Sequence, residues 1–234
     1  MKIVRKSCKS ISLALTAVGM ALWMTPAEAD PTAKESQPFY IGSGSGVVFG
    51  PSAQDVAGKT TFDPGFAVNL AAGARLPYSF RLEAEASLQD VNADELDAFA
   101  LGLGPEKAYG HTQFTSFMAN VYYDIKTPYR WIGTPYLGIG IGAYEDDIKN
   151  LSNTSLRSFG IDIDSSSGYQ FAFQFRVGTT YALTDRLDLS VGYRMFRGEG
   201  FDFQVPAAVG APNNTLGFDH VYLHSAELGL KFNF

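Results

Sequence analysis

Eight stretches of alternating apolar and polar residues, each about ten residues long, are joined by connections that alternate between short and long. The stretches cover 39–49, 65–75, 79–89, 113–124, 134–144, 168–181, 186–196 and 220–234. Short joins fall at Leu76-Pro77-Tyr78, at 125–130 and at 183–186; long joins run across 50–64, 90–112, 145–167 and 197–219. Period-two alternation reads as strand, because successive side chains point to opposite faces of a sheet. An even set of antiparallel strands with tight turns at one end and long loops at the other predicts a transmembrane up-and-down β-barrel of about eight strands. Ten residues is also the length that a tilted strand needs to cross a bilayer.

The two faces are cleanly sorted. Phe80, Leu82, Ala84, Ala86 and Leu88 alternate with Arg81, Glu83, Glu85, Ser87 and Gln89. The last stretch sets Tyr222, Ala226, Leu228, Leu230, Phe232 and Phe234 against Ser225, Glu227, Gly229, Lys231 and Asn233. Chain termini of soluble domains usually fray. A membrane barrel instead has to close its last strand against its first, so Phe234 reads as a closure signal.

Alternation alone does not say which face is outside, and a soluble barrel with an apolar lumen carries the same stripes. Three further features turn the apolar face toward lipid. Basic residues Lys2, Arg5, Lys6 and Lys9, an apolar run over 11–24 and the small-x-small Ala27-Glu28-Ala29 make a signal peptide cleaved after Ala29. Lysine is scarce, and of Lys34, Lys59, Lys107, Lys126, Lys149 and Lys231 only the last falls in a convincing strand; solvated edge strands are usually guarded by lysine. Tyr123, Tyr129, Trp131, Tyr181 and Phe234 collect near the short turns, with Phe49, Phe66, Tyr169 and Tyr222 near the long loops, as two interfacial belts would.

The chain is thereby divided into a signal peptide (1–29), a short periplasmic segment (30–38) and a barrel domain (39–234). Cleavage removes Cys8, which leaves no disulfide or thiolate chemistry, and brings the formal charge to −9. An acidic balance disfavours nucleic acid as a partner.

The stretches FMANVYYDI (117–125), TPYLGIGIGAY (134–144), GYQFAFQFRVGTTYALTDRLDLSVGYRMF (168–196) and HSAELGLKFNF (224–234) resemble the opacity-protein-related outer-membrane surface antigens of proteobacteria. The likeness covers the later strands and hardly touches the loops. It implies a place in the bacterial outer membrane, and roles among adhesins, surface antigens and small porin-like proteins.

An eight-stranded barrel is only wide enough for side chains to fill. The inward stripe sets Arg75, Arg81, Arg176, Arg194 and Lys231 against Glu83, Glu85, Asp124, Asp188 and Glu227. Isolated buried charges are costly, so these ten are expected to interlock as ion pairs that plug the barrel, the alternative being a narrow gated ion path. Gly42, Gly44, Gly46, Gly138, Gly140 and Gly142 share the inward parity and make room for long neighbours such as Tyr122 and Arg176.

The remaining patterns are weaker. His224 and Ser225 are adjacent and point to opposite faces, which removes a simple dyad of the kind a lipid A-modifying barrel would use. His224 is expected beside His220 and Tyr222 on the lipid side, with Ser43 or Ser45 as a neighbour after closure. The long joins hold 15 acidic and 5 basic residues, including Asp94-Glu95-x-Asp97, Glu145-Asp146-Asp147 and Asp162-x-Asp164. That pattern suits solvated loops, or divalent cations bridging to lipopolysaccharide, without the spacing of a defined metal site. Leu96, Phe99, Leu101 and Leu103 suggest a short helix with Asn92 at its cap. Phe201, Phe203, Val205, Val209, Leu216 and Phe218 suggest loop-on-loop packing or a sticky patch.

The reading is a non-enzymatic surface protein without a cofactor, supporting envelope integrity and, through the family likeness, adhesion or antigenic exposure. A small porin-like channel is the runner-up, and a lipid A enzyme the third reading. Expected partners are outer-membrane lipids and lipopolysaccharide, the barrel-assembly machinery, and a host or cell-surface ligand reached through the loops.

Overall fold

The computed structural model describes residues 37–54, 59–97, 105–153, 163–166, 168–204 and 215–234. Its strands are β1 (Phe39–Gln54), β2 (Lys59–Phe62), β3 (Gly65–Arg75), β4 (Phe80–Asp97), β5 (Pro105–Asp124), β6 (Thr134–Asn153), β7 (Ile163–Ser166), β8 (Gln170–Ala182), β9 (Leu187–Gln204) and β10 (Thr215–Asn233). They make eight walls. β2 and β3 are parted only at Asp63-Pro64, where proline has no N–H to give to the ladder, and β7 and β8 pair with the same strand, β6.

Every neighbouring pair is antiparallel and the sheet closes through β10 on β1, from Tyr40 opposite Asn233 to Gln54 opposite His220. The Phe234 amide donates to the Phe39 carbonyl at 3.0 Å, and the Phe39 amide returns a bond to Phe234 at 3.3 Å. Following directly opposed residues once around the wall leads from Phe39 through Ala74, Leu82, Val121, Ile139, Phe175, Met195 and His224 to Phe49. The return is ten residues along β1 from its start. Eight strands with this stagger tilt by roughly 35–45° and enclose a space that side chains fill.

The outer wall is apolar and bare. Leu70, Ile139, Ile141, Phe117, Leu82 and Leu228 are 45–68% exposed. A soluble monomer does not carry a continuous apolar girdle of this kind, so the outward face is the one that meets lipid. Trp131 and Tyr129 project from the turn between β5 and β6, and Tyr78 from the turn between β3 and β4, all at the tight-turn end. Gly133 closes the longer of these turns at φ +70°, a left-handed conformation natural to glycine.

Several expectations are corrected. The strands run past the stretches that alternation marks out, so much of the four long joins is continued ladder, such as Asn92 opposite His111 and Ala108 opposite Asn153. Asn92 lies in β4 and caps no helix, and Leu96 sits opposite Glu106 in the same ladder. Lys59, Lys107 and Lys149 belong to β2, β5 and β6, so Lys231 is not the single strand lysine. Asp146, read as a loop carboxylate, is fully buried on the inward face of β6. Phe201 and Phe203 lie in β9, and Leu216 and Phe218 in β10. Ala29, Phe99, Leu101, Leu103, Asp162, Val205 and Val209 fall outside the described residues.

Candidate functional site

All ten charged residues singled out by parity face the lumen, but they do not form one uniform web. Four make a closed cluster midway along the barrel. The Arg194 guanidinium reaches Glu85 at 3.0 Å and also meets Glu227, while Arg176 meets both of the same carboxylates. Each arginine thus bridges two carboxylates, and each carboxylate is shared by two arginines. Arg194 and Glu85 are wholly buried. Ser225 donates to Glu227 at 2.9 Å, Asn69 donates to it at 3.3 Å, and Gln174 reaches Glu85 at 3.4 Å. These bonds meet the carboxylate lone pairs that the arginines leave free, as buried charge requires.

Toward the tight-turn end stand two simpler pairs. Arg81 holds Asp124 through Nε at 2.8 and 3.0 Å. Arg75 reaches Asp188 at 3.2 Å, Asn233 at 2.7 Å and the Gln37 carbonyl at 3.1 Å. Because Asn233 also donates to Asp188 at 3.1 Å and to the Arg186 carbonyl at 3.2 Å, β3, β9 and β10 are tied at the seam beside the closing strand.

Glu83 and Lys231 depart from the expectation of ion pairing. Glu83 accepts from the hydroxyls of Tyr40 at 2.7 Å and Tyr122 at 3.0 Å. The Lys231 ammonium lies 5.4–6.0 Å from the ring centres of Tyr40, Tyr122 and Tyr136. Arg81 stacks over the same three rings at 4.6–5.9 Å. Phenol faces attract cations and phenol hydroxyls satisfy a carboxylate, so three tyrosines mediate between charges that do not meet directly.

Sequence reasoning named Tyr122 as an inward neighbour of the glycines and missed Tyr40 and Tyr136, although a signal for them exists. Tyr40 lies opposite Gly73, Tyr122 opposite Gly138 and Tyr136 opposite Gly178. A Cβ on Gly73 would come within 2.3 Å of the Tyr40 ring, one on Gly138 within 2.3 Å of Tyr122, and one on Gly178 within 2.6 Å of the Tyr136 hydroxyl. Each tyrosine therefore reaches over a glycine of the next strand, Tyr122 with its ring and Tyr40 and Tyr136 with their hydroxyl ends. Of the rooms assigned to glycines, that for Tyr122 is observed; Gly140 and Gly142 instead accommodate Asn120, Gln174 and Met118, not Arg176.

Above the charged cluster, toward the long loops, the lumen changes character. Val48, Val91, Phe114, Phe196, Val221 and Leu223 are at most 1% exposed, and Gln89, Thr112 and Asp146 are buried among them. Tyr144 bridges Phe114 at 6.3 Å and Phe196 at 5.6 Å and donates to the Glu199 carbonyl. What cavity remains below is small: about 30 Å³ beside Asn69, Glu83, Arg176 and Lys231, and about 90 Å³ at the tight-turn mouth between Arg75, Arg81, Asp124 and Asp188. These volumes suit a few water molecules rather than a substrate.

His224 points outward, stacked on Tyr193 and Phe49, with Nδ1 2.6 Å from the Tyr193 hydroxyl. Ser225 points inward, and Ser43 and Ser45 lie opposite Leu230 and Leu228, far down the ladder from His224. No nucleophile and base come together there. Among the described residues no group of His, Cys, Asp or Glu is arranged to hold a metal ion.

The profile of a family described as the outer membrane protein beta-barrel domain matches residues 12–234. Curated proteins of Brucella abortus, Brucella suis and Brucella melitensis, themselves uncharacterised, are 31% identical over 134 residues, covering 50% of this chain and 46% of theirs. The chain spans about half the length of these relatives. Among solved structures, neisserial surface protein A is 19% identical with a TM-score of 0.51, covering 84% of this chain and 97% of that one. The outer membrane protein OprG of Pseudomonas aeruginosa is 15% identical with a TM-score of 0.55, covering 85% and 97%. At such identities the structures speak for the fold alone. The lipid-facing girdle, the closed wall and the family match agree: this chain belongs to the outer membrane protein beta-barrel domain family and resides in the bacterial outer membrane.

Proposed function

We propose that this protein is a non-enzymatic, non-conducting surface barrel that supports the outer-membrane envelope and displays its loops outward. The observation that carries this reading is the closely packed layer of Val48, Phe114, Phe196, Val221 and Leu223, with Gln89, Thr112 and Asp146 buried among them, lying over an ion-pair cluster in which Arg194 and Glu85 have no side-chain exposure. A lumen filled to this level by side chains leaves no continuous water path, and ions cross such a barrier only at high cost. The ten lumenal charges then serve as a plug that fixes register, since a slip of any one of their strands by one residue would carry that strand's charges to the lipid face. Adhesion or antigenic exposure rests on the family likeness, with lipopolysaccharide, the barrel-assembly machinery and a cell-surface ligand as its partners. Phe234, hydrogen-bonded to the first strand, serves as the closure signal in this reading.

Planar-bilayer recording of the pure protein tests the plug. The wild type is expected to show no steady openings, and a Phe114→Ala/Phe196→Ala double variant is expected to leak. Steady nanosiemens conductance from the wild type would overturn the reading in favour of a small channel.

A further inference from the structure

On the spanning part of the outer wall, among the described residues, a single arginine or lysine carries the outward parity: Arg197. It sits between the inward-facing, buried Phe196 and Gly198, so its side chain leaves the barrel. It also stands ten residues beyond Leu187, the first residue of β9, and its partner Tyr222 stands ten before Phe232. An apolar band about 25 Å tall is crossed in roughly 9–11 residues of tilted strand. Arg197 is therefore level with the headgroups of the outer leaflet.

The side chain is held in place there. Its guanidinium carbon lies 5.8 Å from the ring centre of Phe173 and 5.6 Å from that of Tyr222, its neighbours on β8 and β10. The rings shield Nε, which has no acceptor. Among the described residues no carboxylate comes within ion-pair distance of this arginine. His220, exposed on the next outward position above Tyr222, stands edge-on to that ring at 6.2 Å. Below them, the Phe49–His224–Tyr193 stack continues the same face.

A cation oriented by aromatic packing at the edge of hydrocarbon, with no carboxylate of the described residues at ion-pair distance, is stabilised when the surroundings provide an anion. A flat guanidinium fork matches the oxygens of a phosphate two at a time. We propose that Arg197, clasped by Phe173 and Tyr222 with His220 beside it, binds the phosphate group of an outer-leaflet lipid. The site is separate from the lumen and goes beyond the sealed-barrel reading, so either can fail alone.

Native mass spectrometry of the detergent-solubilised protein tests this, using bisphosphorylated lipid A, the same lipid after enzymatic dephosphorylation, and inorganic phosphate as probes. The wild type is expected to retain the phosphorylated lipid at least about tenfold better than the dephosphorylated one, the scale of one charge-assisted contact. Arg197→Gln is expected to lose that preference and Arg197→Lys to keep part of it. Equal retention of the two lipids by the wild type, or an undiminished preference in Arg197→Gln, would overturn the site. Displacement of the lipid by inorganic phosphate at matching concentration would overturn the lipid as its source. If Arg197→Gln lacks the heat-modifiable migration of a folded barrel, Tyr222→Leu, which opens the clasp and leaves the charge, replaces it and must weaken the preference.

Discussion

Replacing Arg194 by methionine probes whether the centre of the barrel is dry. Arg194 and Glu85 are 3.0 Å apart, and neither side chain has any exposure. At an effective dielectric constant of about 20, two unit charges at that distance attract by about 5–6 kcal/mol; in bulk water the figure falls to about 1.4 kcal/mol. Removing one partner of a buried pair typically costs about 3–5 kcal/mol, because the other charge remains uncompensated. Here both Glu85 and Glu227 would be left to Arg176 alone, so Arg194→Met is expected to lose about 3–5 kcal/mol. Adding Glu227→Gln restores one cation to one carboxylate. The double variant should therefore be less damaged than the two single losses added together, with a coupling of about 1–3 kcal/mol. The assay is urea unfolding of protein refolded into lipid vesicles, followed by loss of heat-modifiable migration and by the fluorescence of Trp131. A loss below about 1 kcal/mol with additive behaviour would mean that water already screens the cluster, which refutes the dry-plug argument.

Two further predictions separate the roles of neighbouring groups. Lys231→Met keeps the volume and orphans no carboxylate, since Glu83 retains its Tyr40 and Tyr122 hydroxyls; in the same urea assay it should cost less than about 1.5 kcal/mol, far below Arg194→Met. Gly138→Ala drives a methyl into the Tyr122 ring and is expected to cost about 1–3 kcal/mol, with the clash relieved in a Tyr122→Ala background; equal loss in both backgrounds would show that the glycine serves the backbone instead.

Parity made much of the wall legible. A strand side chain has two faces to choose from, so once Glu227 and Lys231 were placed inside, His224 had to be outside, and the ladder agrees. Parity sorts residues by face and says nothing of height or partner. It therefore grouped Glu83 with the ion pairs, when its hydrogen-bond partners from nearby strands are phenols. The upper apolar layer escaped for a related reason: Val48, Val91 and Leu223 sit at inward positions beyond the clear charge alternation, where an apolar residue inside breaks the polar-inside pattern. Strand ends escaped because Asn92 and Glu95 have poor strand propensity, and only pairing of Asn92 with His111 and of Glu95 with Lys107 and Thr61 holds them extended.

Glycine and tyrosine together solve a problem of space that ion pairs alone would leave open. A wall of eight strands staggered by ten residues must be filled without a gap, yet ten charged side chains leave irregular voids between their heads. Glycine at 73, 138 and 178 draws the wall back by one Cβ, and the opposing ring lies into that recess. The same ring presents its hydroxyl to Glu83, or its face to Lys231 and Arg81, so one residue fills volume and settles charge at once. In the sealed-barrel reading proposed above, a lumen so committed to its own packing leaves little freedom for transport or catalysis. Variation in function among barrels built on this plan should then be carried by the outward surfaces, at the lipid rim where Arg197 stands and in the loops above it.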